Sequence, residues 1–144
     1  MPPVAHILSS SAPPDALELE VCAWPVAAGF PSPAADHTQE RIDLNRQLIR
    51  NKEATFLFRV KGDSMQGAGI YPGDALVVDR SINATHDHVV IAQLNGEFTV
   101  KRLYRKGGVV KLLAENPIYP ARMIKEEDDF TVWGVVTYNL HKLC

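Results

Sequence analysis

His88-Val89-Val90-Ile91-Ala92-Gln93-Leu94-Asn95-Gly96-Glu97-Phe98-Thr99-Val100-Lys101-Arg102-Leu103-Tyr104 reads as two strands joined by a two-residue turn. Both runs are rich in β-branched and apolar residues, and Asn-Gly tolerates the positive φ that a type I′ hairpin turn needs at both central positions. The reading predicts strands over His88 to Leu94 and Glu97 to Tyr104. It puts Lys101 on the second arm of a tight hairpin. Alternation places Thr99, Lys101 and Leu103 on one side of that arm and Phe98, Val100 and Arg102 on the other.

Working outward, the same texture of short β-branched and aromatic runs predicts strands over Thr55 to Val60, Ala75 to Asp79, Val109 to Ala114 and Thr131 to Tyr138. Pro72-Gly73-Asp74 and Lys106-Gly107-Gly108 are turns between them. Ile42, Leu48 and Ile49 stand loosely at helical spacing and predict one short helix within 39 to 51. Residues 1 to 37 hold seven of the ten prolines with many Ser and Ala, a composition that sustains neither a helix nor a central strand. The expected fold is mainly β: a flexible N-terminal arm over 1–37, then a β-rich domain of short strands with one short helix over 38–144. No internal repeat is visible.

With 144 residues, 46% of them hydrophobic, the chain can bury one sizeable core. Fifteen basic against 17 acidic residues give a formal charge of −2, so no direct, sequence-independent binding to nucleic acid is expected. Cys22 and Cys144 lie near opposite ends, which is neither a disulfide framework nor metal-ligand spacing; no metal or cofactor is expected. The apolar run Val21 to Phe30 is short of the roughly 20 residues of a membrane helix and is interrupted by Pro25. Asp15, Glu18 and Glu20 precede it without Lys or Arg, unlike a secretory signal. The expected location is cytoplasmic, with no membrane contact.

Two short stretches carry the chemistry: Gly62-Asp63-Ser64-Met65 and Phe98-Thr99-Val100-Lys101-Arg102. A serine hydroxyl is a poor nucleophile at neutral pH, and an uncharged amine beside it can take its proton. Gly62 permits close backbone approach. Alone, Gly-Asp-Ser occurs in many structural turns, Met65 reads as a core anchor, and a strand lysine is ordinarily a solvated edge residue. To act as a base, Lys101 must lose about three pKa units from about 10.4, roughly 4 kcal/mol. Desolvation beside Phe98, Val100 and Leu103 is the available cause. His86 and His88 are the nearest alternative bases in sequence and read as surface-loop residues.

Taken in order, further stretches sharpen this. Gly29-Phe30-Pro31-Ser32-Pro33-Ala34-Ala35-Asp36 and Arg41-Ile42-Asp43-Leu44-Asn45 precede the serine motif. Gly73 to Asp79, Gly96 to Arg102, Glu115-Asn116-Pro117-Ile118-Tyr119-Pro120 and Trp133-Gly134-Val135-Val136 follow it. Together they resemble the LexA and UmuD family of self-cleaving SOS-response proteins, the S24 peptidases, with the UmuD and MucA branch nearest. The likeness runs from Gly29 nearly to the C-terminus and implies a small LexA-like β domain. It implies Ser64 as nucleophile, Lys101 as general base, cleavage between Ala28 and Gly29, and an oxyanion site from the backbone N–H groups of Ser64 and Asp63. Ala28 replaces the cysteine usual at this position in UmuD, while Ala-Gly is the bond type in LexA. The implied partners are a second copy in a homodimer, a RecA filament on single-stranded DNA that promotes cleavage, and a UmuC-like Y-family DNA polymerase. The implied product, from Gly29 onward, is an accessory subunit of that error-prone translesion polymerase.

Three competing readings remain. Type I signal peptidase uses a similar Ser/Lys pair but needs a membrane anchor. A LexA-type or phage-type self-cleaving repressor needs an N-terminal helix-turn-helix, for which about 37 Pro-rich residues are too short. A non-catalytic interaction module would keep the fold with an idle dyad.

Overall fold

The computed structural model describes residues 17–22, 26–30 and 38–144, with the side chains of Thr38 and Gln39 excepted. Expectations that fall on 1–16, 23–25 and 31–37, most of the arm among them, lie outside the described residues. The core is a seven-stranded sheet in which every neighbouring pair is antiparallel. Its strands in chain order are β3 (Thr55–Arg59), β4 (Ala75–Asp79), β5 (Val89–Leu94), β6 (Glu97–Lys106), β7 (Val109–Leu113), β8 (Arg122–Met123) and β9 (Phe130–Leu140). Across the sheet they run β3-β4-β9-β5-β6-β7-β8. The Asn95-Gly96 turn joins β5 to β6 with positive φ at both residues, 50° and 84°, and fixes the register in which Val90 faces Lys101.

Two further strands come first. β1 (Glu18–Cys22) pairs antiparallel with β2 (Thr38–Asp43) in a separate two-stranded sheet. A strand inside the expected arm is a difference from the sequence reading. Glu18-Leu19-Glu20-Val21-Cys22 alternates polar and apolar and lies between Pro14 and Pro25, so it escapes the proline content around it. The short helix expected within 39 to 51 is α1 (Leu44–Leu48), preceded by strand from Thr38 to Asp43. Asp43 caps α1: its side chain accepts the Asn45 N–H at 3.0 Å.

The seven-stranded sheet curls. Two register shifts against β9 leave one extra residue each, Thr137 opposite the Val77/Val78 step and Trp133 opposite the Ile91/Ala92 step. Such bulges bend a strand and add twist. The bend brings Phe58 of β3 within 5.9 Å, ring centroid to centroid, of Phe98 on β6, although three strands separate them in the sheet. Trp133 fills the corner, edge-on to Phe56 at 5.2 Å, Phe58 at 5.0 Å and Phe98 at 6.1 Å. Next to it, a Cβ on Gly134 would sit 2.6 Å from Val78 Cγ1, so β9 can approach β4 only without a side chain there.

Curling divides the core into two clusters. Val60, Met65, Ile70, Leu76, Val78 and Ile91 form one, beside Phe58, Val100 and Trp133. Val90, Ala92, Leu103, Leu112 and Val135 form the other. Alternation along β5 and β6 sorts residues between them, as a pleated strand must. Because Trp133 links β3 to β6 across the curl, Trp133→Ala should cost about 3 kcal/mol of unfolding free energy. Urea unfolding followed by circular dichroism checks this; a change below about 0.5 kcal/mol would show that the corner does not hold the curl.

Candidate active site

At the end of β3 the backbone is pinned: Val60 N–H donates to Asp74 O at 2.8 Å and Gly73 N–H to Val60 O at 2.9 Å. The chain then turns at Gly62, whose φ of +87° strains any residue with a Cβ. Met65, 1% exposed, anchors the turn in the first cluster, as its sequence context suggested. Ser64 is thereby carried over the gap between the curled ends of the sheet.

A strap of residues, Glu115 to Tyr119, holds the turn from the other side. Glu115 N–H donates to Ser64 O at 2.8 Å, and Gly67 N–H donates to Glu115 O at 2.7 Å. Asn116 Nδ2 donates to Asp63 O at 3.0 Å, and the Tyr119 hydroxyl donates to Asp63 Oδ1 at 2.5 Å. Sequence reasoning singled out this stretch only as a motif, since contacts between residues so far apart in the chain leave no local pattern.

Lys101 reaches the turn from β6. Its Nζ lies 3.1 Å from Ser64 Oγ, 2.7 Å from Thr99 Oγ1 and 3.2 Å from Val100 O. Half-burial lowers its pKa from the ordinary lysine value by desolvation. The three contacts match the three N–H bonds of an ammonium. In the neutral amine two N–H bonds remain, and Val100 O, which cannot donate, keeps one. With Thr99 Oγ1 taking the other, the lone pair points at the Ser64 hydroxyl. The arrangement can therefore draw a proton from Ser64 Oγ. The sequence puts Thr99 on the same side of the strand as Lys101 but does not show this contact.

A cavity of about 180 Å³ opens beside the pair, walled by Phe58, Val60, Leu76, Ile91, Phe98 and Val100. β7 pairs with β6 only from Arg102 onward, so among the described residues Glu97 to Lys101 has a strand neighbour on one side only. An extended peptide can lie along that free edge. Among the described residues, the backbone N–H groups of Asp63 and Ser64 donate to no acceptor and are free to donate to a bound group.

Ala28 and Gly29 are exposed and do not line this cavity. They sit in the connection between β1 and β2, flanked by Val26 and Phe30, 94% and 92% exposed. His86 and His88 lie apart in the loop before β5: His86 Nδ1 accepts from Arg105 N–H and His88 Nδ1 from Thr85 N–H. Among the described residues no cluster of His, Cys, Asp and Glu could hold a metal ion, and no helix is long and apolar enough to cross a membrane. Cys22 and Cys144 are both free and exposed.

A curled antiparallel sheet with a serine hydroxyl facing a half-buried lysine amine beside an open strand edge defines a class of site suited to acyl transfer on a peptide. Comparison with known sequences agrees: residues 21–137 match the family described as Peptidase S24-like. The chain is 48% identical over 115 residues to Protein SamA of Salmonella typhimurium, covering 80% of this chain and 79% of that one. It is 39% identical over 122 residues to Protein MucA of Escherichia coli, covering 83% of each. It is also 36% identical over 121 residues to the LexA repressor of Bordetella avium, spanning 81% of this chain and 56% of the repressor. The chain belongs to the S24 peptidase family.

The strap tolerates no side chain at Gly67, where a Cβ would lie 2.6 Å from Glu115 O. Gly67→Ala should therefore destabilise the fold by about 1–3 kcal/mol, measured by chemical denaturation. Unchanged stability would show that the strap yields freely.

Proposed function

We propose that the protein is a self-cleaving serine peptidase that cuts its own Ala28-Gly29 bond. The single observation carrying this reading is the 3.1 Å approach of Lys101 Nζ to Ser64 Oγ in a half-buried setting. Lys101 as the neutral amine takes the Ser64 proton while Oγ attacks the Ala28 carbonyl carbon. The Asp63 and Ser64 N–H groups stabilise the oxyanion. Lys101 then gives the proton to the Gly29 nitrogen as the C–N bond breaks, leaving Ala28 esterified to Ser64. Water, deprotonated by Lys101, hydrolyses the ester and frees Ser64.

The substrate is supplied by the fold itself. Residues 23 to 37 connect two strands of a two-stranded sheet, an element that is only marginally stable on its own. Tethering raises the effective concentration of the Ala28-Gly29 bond, so docking needs little intrinsic affinity. Ala and Gly at the bond let the carbonyl approach closely. In this reading residues 1–37 act as the arm and 38–144 as the catalytic and dimerisation domain.

The wider role follows the family resemblance. Cleavage belongs to the cytoplasmic SOS response to DNA damage, and a RecA filament on single-stranded DNA promotes it by favouring the docked arm. The shortened chain, from Gly29 onward, acts as a homodimer and as accessory subunit of a UmuC-like Y-family polymerase in translesion synthesis. Identity is higher to SamA and MucA, 48% and 39%, than to the LexA repressor, 36%, which favours this role over that of a repressor.

Incubated at alkaline pH, the purified chain should shorten, while Ser64→Ala and Lys101→Ala remain full length, a loss of at least 100-fold in rate. Intact mass over time reads this directly. Equal shortening of Ser64→Ala would remove Ser64 from the reaction. The neutral fraction of an amine rises with pH, and desolvation moves that rise for Lys101 to lower pH. The rate should therefore climb with pH and level off below the range of a free lysine, about 10.4. A rate that falls as pH rises would contradict an amine base.

A further inference from the structure

A base built on lysine works only if no carboxylate sits beside it, because a negative charge within about 4–6 Å favours the ammonium form. Yet Asp63 immediately precedes Ser64. Among the described residues Lys101 forms no ion pair, and the Asp63 carboxylate is bound instead to the Tyr119 hydroxyl. We propose that Tyr119 is a positioning residue whose hydroxyl holds the Asp63 carboxylate away from Lys101 and so keeps the lysine able to act as a base. This rests on the Ser64/Lys101 reading above.

The strap is suited to this task. Asn116 fixes the Asp63 backbone and Tyr119 fixes its side chain, so two hydrogen bonds from one strap define where the carboxylate points. Tyr119 is itself 40% exposed and fills no core, which leaves the hydrogen bond as its clearest structural contribution. Its bond to the Asp63 carboxylate raises the phenol's pKa above the ordinary value, because ionising the hydroxyl would lose that hydrogen bond.

The other charged groups around Lys101 do not replace Asp63. Arg59 and Lys61 line the same cavity and carry positive charge. Arg102, next along β6, is paired with Glu115. Glu97, at the start of β6, is exposed. Asp63 is thus the carboxylate whose orientation bears most directly on the base.

The test is the pH dependence of Lys101 acetylation by acetic anhydride, read by peptide mass in the full-length chain carrying Ser64→Ala so that it stays whole. Tyr119→Phe should raise the Lys101 midpoint by about one unit, leaving roughly tenfold less neutral amine at any pH below it. Adding Asp63→Asn to Tyr119→Phe should restore the original midpoint. Asp63→Asn alone, with Tyr119 intact, should leave it unmoved. A midpoint unchanged in Tyr119→Phe, or raised there but not restored by Asp63→Asn, overturns the proposal. So does a fall in Asp63→Asn alone, which would mean that the carboxylate already acts on Lys101. The readout does not depend on cleavage: loss of Ser64-dependent shortening would defeat the functional reading, while the acetylation midpoints decide the role of Tyr119.

Discussion

The structure turns on one contact, between the Lys101 amine and the Ser64 hydroxyl. It demands opposing things of the same few residues. For the proposed base chemistry the amine must be drawn far enough from water to lose its proton readily, yet keep acceptors for the N–H bonds that remain. Thr99 Oγ1 and Val100 O, both on the lysine's own strand, meet the second demand, and the apolar wall of Phe58, Val60, Phe98 and Val100 meets the first. Because those acceptors lie within two residues of Lys101, the amine is oriented by local strand geometry. Only Ser64 has to be delivered from elsewhere.

Delivery depends on the curl of the sheet. β3, which leads into the serine turn, and β6, which carries the lysine, are separated by three strands and would stand far apart in a flat sheet. The two bulges against β9 close that distance, and Trp133, sitting at one of them, packs into the closed corner. The strap from Glu115 to Tyr119 then sets the turn to within hydrogen-bond tolerance. Global bend and local clamp act at different scales on the same distance.

Much of this was legible in the sequence, and the reasons differ by element. Asn95-Gly96 specified the β5/β6 hairpin because few dipeptides accept two positive φ values in succession, and the strands from residue 55 onward followed from runs bounded by Gly, Pro and Asp. β1 was hidden by the prolines around it. β2 went unread because Ile42, Leu48 and Ile49, loosely at helical spacing, pointed only to the short helix that follows it. β8, two residues long, has no pattern to read. Ser64 and Lys101 were identifiable as residue types in motifs, but their approach depends on the curl, which single-strand patterns do not encode. The roles of Thr99, Gly67 and Tyr119 stayed unread because they lie in contacts to one particular atom: a lysine nitrogen, a backbone oxygen and a carboxylate oxygen.

The separation of Ala28-Gly29 from the cavity fits a site whose substrate must move into place. Whether that bond is the one cut is measured most directly by sequencing the new N-terminus formed when the purified chain is held at alkaline pH. The account predicts a single new terminus at Gly29 and a complementary fragment ending at Ala28. A terminus elsewhere in the chain, or fragments scattered over several bonds, would contradict it.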